Sequence, residues 1–344
     1  MPTEKQVMEA LQKVYDPELG RNIVELTMVR DLHIEPDGAI SFTLALTIPG
    51  CPMKSQMEHD ARMALMALPG VTSVKVTFGA MSEEEKKKIF ASGKPELPKL
   101  NSFNQVKRVI AVMSGKGGVG KSSVTALLAC ALARAGKKVG ILDADITGPS
   151  IPRLFGLPAG GLRKSEQGLL PAVTGLGIKA ISTNLLVPNE DDAVIWRGPM
   201  IAGMIQQFWR DVLWGKLDVL LVDLPPGTSD AALTVVQSLP VNGVVLVTSP
   251  QALAGMVVRK ASAMLKQMNV PVLAVVENMS YFVCPKCGEK HALFGTSHAQ
   301  EVLAATAAPM LVTLPIDPQL TVLSDTGKVE EYSGDQLLEL ANLL

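Results

Sequence analysis

Residues 114–123, SGKGGVGKSS, constrain this chain more than any other stretch. They follow an apolar run, VKRVIAVM (106–113), and open the helix-like segment SVTALLACALARAG (123–136). A glycine-rich turn between a strand and a helix gathers unpaired backbone N–H groups around one point, which is a seat for an anion. Two fingerprints overlap in it. Gly115, Gly117 and Gly120 match G-x-G-x-x-G, and Gly115 through Ser122, with Gly118 and Val119 between, match G-x-x-x-x-G-K-S. The first seats a dinucleotide and calls for an acid on the ribose about 20 residues on, a place Asp143 fills. The second seats a nucleoside triphosphate, with Lys121 on the β- and γ-phosphates and Ser122, followed by Ser123, on Mg2+. A turn with no ligand is the third option. LDVLLVD, ending at Asp223 and followed by LPPG, separates them, because a second carboxylate at a strand end serves Mg2+ and has no use in a dinucleotide site. No Asn-Lys-x-Asp string for reading guanine occurs, so ATP is preferred to GTP.

Around the loop, short apolar runs lacking alternation, VKRVIAVM, KVGILD, LDVLLVD, GVVLVT, VLAVVE and MLVTL, read as strands buried on both faces. Helix-like segments separate them, so the fold expected from 105 to 344 is α/β, a doubly wound, mostly parallel sheet carrying the phosphate loop. Residues 1–80 read differently. TEKQVMEALQKV places Val7, Leu11 and Val14 on one helix face, Ile40, Phe42, Leu44, Leu46 and Ile48 alternate as in a half-buried strand, and Asp37-Gly38 marks a hairpin. A second helix with Met53, Met57, Leu65 and Leu68 on one face and a strand, VTSVKVTF, complete a small α+β domain. Residues 81–104 form the expected linker: Ser82 with Glu85 makes a capping box, and Pro95 and Pro98 follow.

Three features bear on chemistry beyond the loop. Leu224 follows Asp223, so a carboxylate that orients the attacking water must come from elsewhere, and Asp145 in DADITGPS is the candidate; capping its own turn is the alternative. Lys116 places an extra ammonium inside the loop, pointing to solvent or toward phosphate charge, including across a dimer. Cys284 and Cys287 stand as C-x-x-C, a spacing for metal or redox work in a chain whose four cysteines are too few for a disulfide framework. Two thiolates do not complete a site. Four donors for a cluster or for zinc arise if a symmetric dimer brings two pairs to its axis, or within one chain if His291 and His298 join as zinc ligands. A redox pair is the remaining option. Cys51, in PGCP before a helix, is a candidate reactive thiol, or a packed small residue in a turn; Cys130 belongs to the core.

These motifs resemble a known family. SGKGGVGKSS is similar to the deviant Walker A loop of the ParA/MinD/nitrogenase-reductase class, and DADITGPSIPRLFG, WRGPM, DLPPGTSD, VVENMS and FVCPKCG resemble the Mrp/ApbC iron-sulfur carrier ATPases. YDPELG, IPGCP and LPGVTSVKV resemble the PaaD-like domain fused ahead of bacterial members. The resemblance implies a homodimer that binds and hydrolyses ATP with Mg2+ and carries an iron-sulfur cluster, 4Fe-4S by expectation, shared by two subunits. Apo iron-sulfur proteins would be its recipients and an iron-sulfur scaffold its donor. It further implies that Lys116 reaches the partner's phosphates, that Lys121, Ser122 and Asp223 serve phosphate and Mg2+, that Asp145 serves the water, and that Asn278 meets the adenine edge. Two places depart from the family pattern: Leu26-Thr27 stands where Leu-Gly is usual, and GTSHAQ from Gly295 replaces a more glycine-rich stretch.

Composition narrows the alternatives. Lys plus Arg number 32 against 33 Asp plus Glu, which leaves no electrostatic footprint for nucleic acid. No apolar run approaches the ~20 residues that cross a bilayer, and MPTEKQVMEALQKVYDPE carries acids rather than the features of a signal or transit peptide, so the expectation is a cytoplasmic, soluble chain without membrane contact. A positioning ATPase of the ParA/MinD kind, with structural zinc at the C-x-x-C, is the competing function. It predicts a basic surface or tail, whereas EEYSGDQLLELANLL has no Lys or Arg and is expected to pack on the domain. An ATP-coupled electron donor is the third.

Overall fold

The computed structural model describes residues 2–16, 21–46, 54–82, 85, 100–146, 148–187, 198–227 and 230–344. The chain divides into two compact units, Met1–Glu96 and Leu97–Leu344.

In the first unit, α1 (Glu4–Leu11) starts at a capping box in which Thr3 and Gln6 satisfy each other's backbone N–H groups. Val7 and Leu11 are fully buried, and Val14, past the helix end, turns into the same core. Strands β1 (Val29–Ile34), β2 (Ala39–Leu46) and β3 (Ser73–Ala80) make a three-stranded sheet, antiparallel between β1 and β2 and parallel between β2 and β3. The alternation read from the sequence holds: Ile40, Phe42 and Leu44 are buried and Ser41 and Thr43 are not. Ile48 and Met53 lie outside the described residues. Helix α2 (Lys54–Met66) makes the crossover between the two parallel strands and seats Met57, Ala61 and Leu65 in the core. Thr27 has φ of 52°, a left-handed backbone that a β-branched residue adopts only under strain, at the position where the family pattern carries glycine. The Ser82–Glu85 capping box is formed, with Ser82 N and Oγ both donating to Glu85 Oε2 and Ser82 Oγ accepting from Glu85 N. Asn104, the last residue of the expected linker, is tied into the second unit through Val212 O and Gly215 N.

The second unit is built on a nine-stranded sheet. Its strands are β4 (Gln105–Ser114), β5 (Val139–Asp143), β6 (Ala172–Val173), β7 (Lys179–Ile181), β8 (Lys216–Asp223), β9 (Gly243–Thr248), β10 (Val272–Val283), β11 (Lys290–His291) and β12 (Leu311–Ile316). They lie in the order β6-β7-β5-β8-β4-β9-β10-β11, with β12 also paired to β10; the β6·β7 and β10·β11 pairs are antiparallel and every other pair is parallel. Successive side chains of a strand point to opposite faces, and here both faces are covered. Ile110 and Val112 of β4 enter one core with α3 (Lys121–Arg134), while Val109, Ala111 and Met113 enter another with α5 (Gly198–Asp211), α6 (Asp230–Ser238) and α7 (Ala252–Gln267). The unbroken apolar runs follow from this double burial. The short α4 (Ile151–Leu154) follows β5, and α8 (Ala299–Thr306), α9 (Pro318–Asp325) and α10 (Leu338–Leu343) complete the unit. The C-terminal segment packs on the domain as expected: Leu337, Leu340 and Ala341 are buried in the α3 core, and Arg134 donates to the carbonyls of Glu330 and Tyr332 at 2.6 and 2.7 Å. Among the described residues, no helix is long and apolar enough to cross a membrane.

Candidate functional site

The loop 115–120 leaves β4 at its carboxyl end and opens α3, with β8 alongside in parallel register. Gly118 and Gly120 adopt φ near +80°, and Gly120 is the N-cap of α3 with no side chain to occupy the N–H groups of the first turn. A cavity of about 220 Å3 sits over these groups, lined by residues 116–123 together with Ser114, Asp145 and Pro226. Nearly every residue assigned to phosphate by sequence is thus gathered at one place.

Beneath the cavity lies a buried charged cluster. Lys121 Nζ is 2.7 Å from Asp223 Oδ2, and the two side chains are 6% and 0% exposed. Ser122 Oγ donates to the same oxygen at 2.6 Å, and Thr125 Oγ1, one helical turn on, donates to Asp223 Oδ1 at 2.7 Å. A hydroxyl beside a carboxylate is an oxygen donor set suited to Mg2+. Asp143 stands level with Asp223 across the β5·β8 pair, and burial with that neighbouring carboxylate pushes its pKa up to about 8 against the pull of Lys121. In the sequence Asp143 served as the ribose acid of the dinucleotide alternative and opened the DADITGPS motif. Its carboxyl instead accepts from Asp145 N at 3.2 Å, Ile151 N at 3.3 Å and Ser182 Oγ at 3.1 Å, and so pins the turn that carries Asp145. Asp145 Oδ1 accepts from Gly148 N at 3.1 Å, as a residue capping its own turn does, and the residue lines the phosphate cavity. The ammonium of Lys116 donates to Gln251 Oε1 of the same chain, ahead of α7.

A second cavity, about 400 Å3, shares Gly120 and Ser123 with the first and continues past Asn278 and Met279 to Phe294, Asp317 and Leu320. Asn278 Nδ2 donates to Val119 O at 2.9 Å, so this asparagine braces the phosphate loop and forms the entrance to the second cavity. Its dimensions and position suit the base and sugar of a nucleotide whose phosphates lie on the loop. Phe294, Asp317 and Leu320 carry no motif, and no local signal marks them.

The cysteine pair occupies the turn between β10 and β11. Gly288 N donates to Cys284 O at 2.8 Å and Cys284 N to Glu289 O at 2.9 Å, closing the turn. The backbone N–H groups of Cys287 and Lys286 point at the Cys284 sulfur and hold that thiol below its ordinary range, as does the Cys287 side chain. Cys287 is exposed and Cys284 half-buried. Among the described residues the within-chain zinc site does not assemble: His291, on β11, pairs with Phe282 of β10, the His298 ring lies 3.5 Å from Glu301, and no three His, Cys, Asp or Glu side chains are close enough to hold a metal ion. Cys130 is buried in α3 and its thiol is pushed up to about 12 by desolvation. Cys51 lies outside the described residues, as do Trp196 and Arg197 of the WRGPM motif and Thr228 and Ser229 of DLPPGTSD.

The geometry agrees with what comparison with known proteins finds. The model of the NUBPL iron-transfer P-loop NTPases matches residues 105–342. The chain belongs to that family. A second family model, iron-sulfur cluster assembly protein, matches residues 4–77, so the resemblance read from the motifs holds in both units. The iron-sulfur cluster carrier protein of Synechocystis is 43% identical over 331 residues, covering 95% of this chain and 91% of that protein. That of Mycobacterium leprae is 40% identical over 352 residues, covering 98% and 91%. Among solved structures, a nucleotide-binding protein from Archaeoglobus fulgidus in complex with ADP is 52% identical, with a TM-score of 0.62 over 67% of this chain and 91% of that one. MinD of Pyrococcus horikoshii, complexed with Mg-ADP, shares the fold at 22% identity and a TM-score of 0.50, covering 69% and 95%. As a member of a P-loop NTPase family, the chain is nucleotide-binding, and the doubly wound sheet expected for it is present.

Proposed function

We propose that this chain is an ATP-hydrolysing carrier of iron-sulfur clusters that works as a homodimer. What carries the reading is one unit holding both a phosphate loop with its charges answered internally and a surface turn offering two thiol ligands out of the four a cluster needs. ATP lies with its phosphates on residues 115–123 and its base in the second cavity beside Asn278. Lys121 and the α3 N–H groups hold the phosphate oxygens. Ser122 and Asp223 would hold Mg2+, whose charge would offset that of the phosphates. Asp145, pinned through Asp143, orients the water, and Lys116 leaves Gln251 to meet the phosphates of the partner subunit.

The cargo is a 4Fe-4S cluster held by Cys284 and Cys287 of each of two subunits at their two-fold axis. A site shared between subunits and open to solvent is surrendered when the subunits part, which suits transfer to apo-proteins and loading from a scaffold. The test is anaerobic reconstitution with iron and sulfide, followed by iron, sulfide and zinc analysis per dimer and a visible spectrum. About four iron and four sulfide per dimer are expected, lost in Cys284→Ala. Stoichiometric zinc in each chain that resists iron would overturn the carrier reading and leave a structural clip on a positioning ATPase.

A further inference from the structure

The cysteine turn and the nucleotide cleft are joined by one hairpin. On the outgoing side β10 passes Asn278 and Met279, both in the cleft wall, before it reaches Cys284. Met279 has φ of 58°, and the β10·β12 register shifts between Glu277 and Tyr281, so the strand bends where it leaves the cleft. On the return side, β11 leads through Leu293 to Phe294, which lines the same cleft and is 45% exposed. Leu293 and Val283, beside the turn, are exposed as well.

Glu277 ties the two sides together. Its side chain, in a residue 1% exposed, accepts from Ser280 Oγ on the outgoing strand and from Ser297 Oγ at 2.9 Å on the return segment. Ser297 Oγ in turn accepts from Ala299 N at 3.2 Å, fixing the start of α8. The feet of the hairpin are therefore clasped, with the thiols at its tip and Phe294 on the cleft wall. The β12 strand that flanks β10, with Tyr281 opposite Pro315 and Phe282 opposite Ile316, also lines the cleft through Pro315 and Ile316.

A half-exposed phenyl ring on a cleft wall gains apolar burial and stacking when a planar base lies against it. We propose that Phe294 closes on the base of the bound nucleotide and, through the Glu277-clasped hairpin, draws the Cys284–Cys287 turn into a less accessible arrangement. The two states are the ring open to solvent and the ring closed on the base, and the nucleotide favours the second by contacts made only there. The nucleotide-loaded chain then protects its cysteines and, with cluster in place, releases it more slowly. For the cluster this rests on the carrier reading; for the thiols it rests only on nucleotide binding.

The experiment uses the full-length, reduced, metal-free protein. Iodoacetamide labelling of Cys284 and Cys287 is followed by peptide mass spectrometry, with and without Mg·ADP at concentrations saturating for each variant. In the wild type, Mg·ADP is expected to slow labelling about fivefold or more, the lower end of coupling between linked sites. Phe294→Ala brings the ratio to one, and Phe294→Trp restores it. Ser297→Ala, which cuts one arm of the clasp and leaves the ring in place, lowers the ratio too. A wild-type ratio of one with ADP bound, or the full ratio in Phe294→Ala, overturns the proposal. Because the labelling needs no iron, failure of the carrier reading in the reconstitution test leaves this result interpretable on its own.

Discussion

The phosphate loop and the cysteine turn belong to the same unit, yet at one the buried charges are answered within the chain and at the other two thiols stand at or near the surface. At the loop, Asp223 is wholly buried and has three partners on α3, namely Lys121, Ser122 and Thr125. Burying charge is tolerable only with such pairing, and the arrangement is held by β4, β5 and β8 side by side. At the cysteine turn the sulfurs sit near or at the surface, and short-range N–H contacts shape the ligands. A site made by the core is rigid before its ligand arrives. A pair carried on a surface turn leaves its thiols open to partners from outside the chain.

The largest effect that sharpens this contrast is thiol reactivity. Cys130, buried with its thiol pushed up to about 12, and Cys284, held below the ordinary range, are expected to differ more than about a thousandfold in alkylation rate near neutral pH, since the thiolate is the nucleophile. Because the Cys284 pKa is lowered, its rate rises with pH and levels off at a lower pH than that of an unperturbed thiol. Comparable labelling of Cys130 would break the distinction between a core cysteine and a ligand. Next in size is Lys121→Ala. Losing this one preorganised cation is expected to lower ATP turnover by about a hundredfold or more, measured as phosphate release, while the cysteine pair still loads iron in vitro. Coincident loss of both activities would show that the two sites are not separately built.

The smallest effect compares one substitution in two settings. Gly120 and Gly288 both have positive φ, 79° and 74°. A Cβ at Gly120 would lie 2.3 Å from Asn278 Nδ2, whereas none of the described atoms lies within 4 Å of one at Gly288. Gly120→Ala must displace a buried amide that braces the loop, and is expected to weaken nucleotide binding at least tenfold by calorimetry. Gly288→Ala meets only the left-handed backbone cost of about 1 kcal/mol, a few-fold change in Cys284 labelling. Equal effects would mean that the turn is as tightly supported as the loop.

What was legible in the sequence and what was not divides along the same line. The strands announced themselves because burial on both faces leaves a continuous apolar run, as Val109 to Met113 shows. Lys121 and Ser122 were legible because a phosphate loop is local chemistry, complete within one turn. The C-x-x-C was legible for the same reason, and the sequence left open whether His291 and His298 completed it. The role of Asp143 was not legible, since its partner Asp223 is adjacent only through the parallel pairing of β5 and β8. Gln251 gave no signal, and although Glu277 and Ser280 lie in the VVENMS motif and Ser297 in GTSHAQ, nothing local showed that they meet. The bond from Lys116 to Gln251 spans 135 residues and that from Asn278 to Val119 spans 159.

By itself the sequence determined the fold class, the phosphate loop and the C-x-x-C pair, because each of these is written in short-range spacing and in the pattern of burial. The tertiary structure alone decided which carboxylates share the buried cluster, where the second cavity opens and that the histidines stand apart from the cysteines. Those depend on strand order and register, which bring together residues far apart along the chain, and no local pattern encodes such a meeting.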